Sequence, residues 1–303
     1  MSPEKNTSIW FLGTSAFAVP SLEALLSDPH FSVDLVITQP DRPVGRKQEV
    51  TASPVKAAAM KHGLKIMQPE NINDPSHFSL PAHRSLGEGG STFHSPDFLV
   101  VVSFGQILSQ KILDCPKTAP VNLHGSLLPR WRGASPIQHA ILAGDSETGV
   151  TVQKIALELD AGPVLAQEKV TIDPRETFTT LHDRLATMGA DLLIKTLKAP
   201  LRPTEQDASR VTVCRTLKRD DGLVDAAAMT AKEIDRKVRG LTPWPGVTMV
   251  MDGQKVKILE ASLEPGMDTA PLSCASETVL HLVTVQPAGK KAMKGATWKR
   301  GRR

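Results

Sequence analysis

The sequence predicts an α/β architecture, a doubly wound, mostly parallel sheet followed by a small open β-barrel. Three observations predict it. Apolar runs at 8–12, 33–38 and 98–103 are short and set apart by turn residues and helix-compatible stretches, as parallel strands buried on both faces require. The first run meets Gly13 and then a helix over 21–26, giving strand, glycine turn and helix in succession. Toward the carboxyl end the pattern changes to brief β-like runs at 247–251, 256–259 and 279–284, at spacings that suit a barrel.

Taken in order, the first strand's glycine turn lacks the full G-x-G-x-x-G spacing and is not read as a dinucleotide site. The right-handed crossover rule makes 33–38 parallel to it. Residues 39–54 hold two early prolines and a glycine, which argue against regular structure. With Arg42, Arg46 and Lys47 inside it, this loop is by composition either a solvated turn or a basic finger for nucleic acid. A helix over 54–62 takes Ser53 as its N-cap and Gly63 as its stop, and 65–67 is a short strand. Residues 79–96, with three glycines, two prolines and no helical period, read as a loop. Its His83, Glu88 and His94 lack metal-ligand spacing. Residues 98–103 are a central strand and 104–108 a turn toward a helix; 119–123 is a strand with a helix over 136–143 packed behind it. A strand over 164–172 and a long helix over 177–197, with Glu176 near its positive end, complete a first domain. The expected division is therefore a domain at 1–197, a proline-containing linker at 198–209 and a barrel with a basic tail at 210–303. Within the last, Thr230 caps a helix ending at 241, followed by the rigid turn Pro243-Trp244-Pro245-Gly246.

Composition narrows the class. With 40% hydrophobic and 22% charged residues the chain is an ordinary globular one, and no stretch is long and apolar enough to span a bilayer or serve as a signal peptide. Cys115, Cys214 and Cys274 are odd in number and far apart, which points to a reducing cytoplasm, buried thiols and no metal. The net charge of +4 is unevenly spread: Lys290, Lys291, Lys294, Lys299, Arg300, Arg302 and Arg303 face no acid in the last eighteen residues. Such a tail suits a polyanion or is a solvated, disordered end.

The chemistry gathers at 119–124. Asn122 and His124 stand two apart on a strand, so both leave the same face near its carboxyl end, where open α/β sheets bind ligands. Asp160 closes the strand-like run 150–159 ahead of the turn residues Ala161-Gly162-Pro163. A neutral amide donor, a histidine and a carboxylate to orient it form an acyl-transfer constellation. Without a nucleophilic Ser or Cys, transfer would pass directly to an incoming amine.

Residues 122–138, Asn-Leu-His-Gly-Ser-Leu-Leu-Pro-Arg-Trp-Arg-Gly-Ala-Ser-Pro-Ile-Gln, followed by Ala-Gly-Asp-Ser-Glu-Thr-Gly-Val-Thr at 143–151, resemble the signature of methionyl-tRNA formyltransferases. The resemblance implies a Rossmann-like formyltransferase domain with an OB-like barrel. It also implies a formyl donor, 10-formyltetrahydrofolate, and an acceptor, the α-amino group of initiator methionyl-tRNA. It makes Asn122, His124 and Asp160 the catalytic trio, with Asn122 and His124 stabilising the oxyanion and Asp160 helping remove the amine proton. Ser126, Leu127, Leu128 and Pro129 become a folate contact with a cis bond before Pro129, and Phe104, Gly105, Ile107 and Leu108 border the pteridine pocket. The loop bearing Arg42, Arg46 and Lys47 becomes a finger inserted at the tRNA acceptor end, with Arg46 foremost. Residues 242–246 and 286–293, including Lys290 and Lys291, resemble the family's tRNA-holding barrel. Arg130 and Arg132 either bind a glutamate tail or phosphate, or brace the loop across Trp131. A cytoplasmic monomer without metal is expected. The resemblance lapses at about 79–96 and after 293. Two rival readings stay open: another 10-formyltetrahydrofolate-dependent formyltransferase or hydrolase, and a non-catalytic tRNA-binding protein on this fold.

Overall fold

The computed structural model describes residues 6–44, 48–74 and 94–301. The chain divides into two compact units, one of residues 1–132, 149–169 and 183–212, the other of 133–148, 170–182 and 213–303.

The elements of the first part are β1 (Thr7–Gly13), α1 (Val19–Ser27), β2 (Phe31–Ile37), β3 (Arg42–Val44), β4 (Glu49–Thr51), α2 (Pro54–Lys61), β5 (Ile66–Met67), β6 (Phe98–Val102), α3 (Gln110–Leu113) and β7 (Ala119–His124). There follow β8 (Arg132–Gly133), α4 (Pro136–Ala143), β9 (Glu147–Lys154), β10 (Val164–Thr171) and α5 (Phe178–Lys198). The main sheet runs β10-β9-β7-β6-β1-β2-β5. The pairs β5–β2, β2–β1, β1–β6 and β6–β7 are parallel, and β9 runs antiparallel to β7. Chain order reverses between β1 and β6, the position beyond whose strands' carboxyl ends open α/β sheets bind ligands. Trp10, Leu12, Leu35, Ile37 and Leu99 pack one face of the sheet with almost no exposure, which is why these strands read as continuous apolar runs.

Several local expectations hold. Ser53 caps α2 by accepting from Lys56 N at 3.0 Å, and Gly63 beyond its end takes φ +63. The Leu128–Pro129 bond is cis. Two expectations are corrected. Residues 39–54 are not without regular structure: β3 and β4 form an antiparallel ribbon in which Pro43 faces Val50. A two-stranded ribbon has only edges, where a proline's missing N–H costs no ladder bond. The run expected to extend over 150–159 ends as a strand at Lys154, and the chain then turns through Asp160, whose φ is +51.

The second unit continues with β11 (Val213–Cys214), β12 (Leu223–Val224), α6 (Ala231–Leu241), β13 (Val247–Met251), β14 (Gln254–Ser262), β15 (Ala270–Ser273), β16 (Val279–Pro287), β17 (Met293–Lys294) and α7 (Gly295–Arg300). Its sheet runs β12-β13-β14-β16-β15, with β17 paired to β16. Ile234, Val238 and Leu241 of α6 share a core with Met249, Ile258, Leu280 and Leu282. Thr230 caps α6 through a reciprocal box with Glu233. Helix α4, expected behind the strand at 119–123, packs instead on α6: Gly240 lacks the side chain that would crowd Ile141, whose Cγ2 lies 3.2 Å from where a Cβ would stand. The basic tail is folded through residue 301, since β17 and α7 are ordered elements and Trp298 is buried in the core. The three cysteines are free and buried. Among the described residues no helix is long and apolar enough to cross a membrane.

Candidate active site

Strand β7 carries Asn122 and His124, and the register with β9 sets Asn122 opposite Gln153 and His124 opposite Thr151. Asp160 returns to the same place. Its Oδ1 accepts from Asn122 Nδ2 at 3.5 Å and from Gln153 Nε2 at 3.1 Å, while Oδ2 lies 3.6 Å from His124 Nδ1. Both the His124 and Asp160 side chains are largely withdrawn from water, at 7% and 11% exposure, so their attraction is weakly screened. His124 Nε2 lies 2.9 Å from the Trp131 carbonyl. A carbonyl only accepts, so Nε2 carries the hydrogen and Nδ1 is the nitrogen that faces Asp160. The three residues that the sequence singled out are thus brought together.

The loop after β7 is held from within. Ser126 is fully buried and its hydroxyl donates to Arg130 O at 2.6 Å. Thr151 Oγ1 donates to Ser126 O at 2.6 Å and accepts from Leu128 N at 3.1 Å and Gln167 Nε2 at 2.9 Å. Gln167 also donates to Leu128 O at 2.8 Å. Ser126 and Leu128 are therefore structural pins of the loop, and Leu127 and Pro129 are half-buried. A cavity of about 440 Å³ lies beside them, lined by Leu127, Leu128, Pro129, Arg130, Gln167, Lys169 and Arg210. Of the two loop arginines, Arg130 lies 4.3 Å above the Trp131 ring. Arg132 bonds Gln206 at 3.0 Å and Glu158 at 3.3 Å.

The turn at 104–108 sits at the sheet's reversal point. Thr14 Oγ1 and Gln39 Nε2 both donate to Phe104 O, at 2.8 and 3.3 Å, tying the ends of β1 and β2 to the turn after β6. Phe104 and Leu108 are buried, Gly105 takes φ +89, and Ile107 is 80% exposed. Gln106 pins the far side through Ile72 N at 2.7 Å and Pro69 O at 3.0 Å. An exposed branched side chain above fixed backbone is an apolar wall against which a flat heterocycle can lie.

Of the basic candidates, Arg42 is exposed and bonds Glu70 at 2.6 Å. Lys290 and Lys291 are exposed. Arg46, Lys47, and His83 and Glu88 of the glycine-rich segment lie outside the described residues. Among the described residues no cluster of His, Cys, Asp or Glu is arranged to hold a metal ion.

Sequence reasoning missed Thr151, Gln153, Gln167, Gln206 and Thr212. One signal was present: Thr151 and Gln153 are polar residues in a strand whose other central positions are apolar, and both are buried. A buried polar group must be hydrogen-bonded, so such a residue marks a network.

The family model described as formyl transferase matches residues 7–197, and that described as formyl transferase, C-terminal domain, matches 216–303. Methionyl-tRNA formyltransferase of Roseiflexus sp. (strain RS-1) is 42% identical over 97% of this chain and 92% of its own length. That of Bdellovibrio bacteriovorus is 43% identical over 97% and 95%, and that of Bacillus subtilis 37% over the same shares. Among solved structures, the sugar 3N-formyl transferase WlaRD shares the fold, with a TM-score of 0.64 at 17% identity over 95% of this chain and 100% of its own. The N-formyltransferase of Helicobacter canadensis shares it at a TM-score of 0.65 and 18% identity, over 93% and 100%. With two domain matches along its length and full-length relatives above 40% identity, this chain belongs to the methionyl-tRNA formyltransferase family.

Proposed function

We infer that this chain transfers the formyl group of 10-formyltetrahydrofolate to the α-amino group of initiator methionyl-tRNA, the first charged residue of translation initiation. The observation that carries the reading is the convergence of Asn122, His124 and Asp160 at the carboxyl end of β7 in a chain similar along its whole length to methionyl-tRNA formyltransferases. Neither rival reading has a feature in its favour.

The fit to the folate is by surface chemistry. Ile107 offers an apolar wall beside Gly105, with Phe104 and Leu108 fixing the turn beneath. Leu127 and Pro129 offer a second wall, held by Ser126 and Leu128. The bound donor supplies an activated formyl carbon. In our reading Asn122 directs an amide N–H at the formyl oxygen as negative charge grows there, which is worth a few kcal/mol when such a donor is fixed in place. His124 Nδ1 takes the proton leaving the attacking amine, the Asp160 carboxylate stabilises the resulting imidazolium, and the same proton passes to the donor nitrogen as its bond to the formyl carbon breaks and tetrahydrofolate leaves. Arg42, Arg46, Lys47, Lys290 and Lys291 are assigned to tRNA phosphates, as exposed or loop-borne cations suit that contact. We propose a monomer, because one chain carries all three groups, and a cytoplasmic location, supported by three free thiols and by an acceptor made and used there.

The test is formyl transfer from 10-formyltetrahydrofolate to methionyl initiator tRNA, run beside free methionine and glycinamide ribonucleotide. His124→Ala and Asn122→Ala are each expected to lower kcat by about 100-fold or more while the chain still binds tRNA. Unchanged turnover in both variants, or a preference for a small amine, refutes the reading.

A further inference from the structure

Resting on the function just inferred, we propose that Gln206 and Thr212 are positioning residues of the active site, and that the segment they occupy fixes the orientation of both Asp160 and His124. By composition residues 198–209, which include Gln206, read as a connection between domains, and Thr212 follows three residues beyond them. The segment's hydrogen bonds go elsewhere.

Gln206 Nε2 lies 2.8 Å from Asp160 O and 2.8 Å from Gly162 O, bracketing the turn on which the carboxylate sits. Its Oε1 accepts from Arg132 Nε at 3.0 Å, and Arg132 reaches Glu158 of the same turn at 3.3 Å. Asp160 needs such support. Its φ of +51 is left-handed, a conformation that aspartate tolerates better than most residues with a Cβ but still at some cost, and the bonds to the carbonyls on either side of the turn help hold it. Loosening the bracket lets the backbone relax and swings the carboxylate away from His124 Nδ1.

Thr212 acts on the other partner. Its Oγ1 accepts from Trp131 N at 2.9 Å, its carbonyl accepts from Arg132 N at 2.9 Å, and its own N–H donates to Pro129 O at 3.2 Å. The Arg132 N–H and the Trp131 carbonyl belong to one planar peptide and point opposite ways. Holding that N–H therefore aims the carbonyl, which is the acceptor of His124 Nε2 at 2.9 Å. Trp131 is itself left-handed, at φ +62, so its peptide planes are also set by outside partners. The segment is anchored upstream by paired bonds of Thr204 with Val164, both 2.8 Å. One strap thus fixes the histidine's tautomer through Thr212 and the carboxylate's seat through Gln206.

The experiment compares wild type, Gln206→Met, Thr212→Val and Thr212→Ser in steady-state formyl transfer, with folding checked by circular dichroism at the assay temperature. Gln206→Met is expected to lower kcat by about 10–100-fold, the loss that a misplacement near 1 Å produces, with KM for both substrates within about threefold. A merely structural role is separated by repeating the change in an Asp160→Asn background. There Gln206→Met should add less than about a twofold loss, since residues acting as one unit are non-additive. Thr212→Val should lower kcat and Thr212→Ser restore it, which keeps the proposal falsifiable should Gln206→Met fail to fold. Full kcat in both Gln206→Met and Thr212→Val, equal fold losses in the two backgrounds, or a loss confined to KM overturns it. A wild-type chain that transfers no formyl group overturns the functional reading and the proposal with it; an active wild type with unaffected variants overturns the proposal alone.

Discussion

Replacing Thr151 by valine tests how the loop after β7 keeps its shape. Valine matches threonine in volume and removes one hydroxyl, so the packing of a fully buried site is preserved while its bonds are lost. The hydroxyl serves Ser126 O, Leu128 N and Gln167 Nε2. Gln167 retains Leu128 O, but the Ser126 carbonyl and the Leu128 amide belong to buried residues and lose this partner. Each buried group left unpaired costs about 1–3 kcal/mol, so partial relaxation brings the total to about 2–4 kcal/mol. In a unit of this size that lowers the melting temperature by roughly 6–12 °C. The assay is a thermal scan followed by near-ultraviolet circular dichroism, with Thr151→Ser as the control that keeps the hydroxyl. A Thr151→Val protein melting within about 3 °C of wild type, a loss of about 1 kcal/mol or less, refutes the reasoning.

Two further expectations concern ion pairs of the second unit. Asp235 is 2% exposed between Arg175 at 2.9 Å and Arg239 at 2.8 Å; Asp235→Ala strands the mostly buried Arg239 charge and should destabilise the unit by about 3–5 kcal/mol in urea unfolding. Equal stability of wild type and variant would show that water replaces the carboxylate at no cost. Arg215 beside Asp221 lowers that carboxyl from its ordinary 3.8 to about 2. The folded state therefore holds the carboxylate more firmly than the unfolded chain does, so the contribution is present above pH 4 and drains away as pH falls toward 2. Because Arg215 is 59% exposed, water screens the pair and the contribution is small. Urea midpoints of wild type and Arg215→Gln should differ at pH 6, draw together below pH 4 and converge only below about pH 2, and a constant difference between pH 6 and pH 2 contradicts the assignment.

The parallel strands were legible because burial on both faces leaves almost no choice of residue type: Phe98–Val102 is five apolar residues with no polar break. Capping was legible for the same local reason, since Ser53 and Thr230 bond within their own helices' first turns. The ribbon at Arg42–Val44 and Glu49–Thr51 was not, because proline and glycine content describes local stiffness and cannot show that two short segments pair. The partner of Pro136–Ala143 was equally hidden. An amphipathic helix announces an apolar face, and the surface that covers it is a tertiary matter, settled by the missing side chain at Gly240. At the site, Asn122 and His124 could be paired from strand periodicity alone. Asp160 could only be guessed at, because its place depends on a left-handed turn and on Gln206, forty-six residues further along the chain.

That dependence explains why the cluster needs more than its three named members. A carboxylate can rotate, and either oxygen can face the imidazole. Here Oδ1 takes bonds from Asn122 and Gln153, which leaves Oδ2 aimed at His124 Nδ1. The imidazole can rotate too, and the Trp131 carbonyl removes that freedom by demanding a hydrogen on Nε2. The two constraints act on opposite ends of the same contact. A positive charge arriving on Nδ1 then meets a negative charge already in place, and no reorientation is required at the moment of transfer. The amide of Asn122 is restrained by the same carboxylate, so one anion fixes both the proton acceptor and the oxyanion donor. Any change that lets Asp160 turn should therefore weaken both functions together, and its cost in rate should exceed what the loss of either hydrogen bond alone would predict.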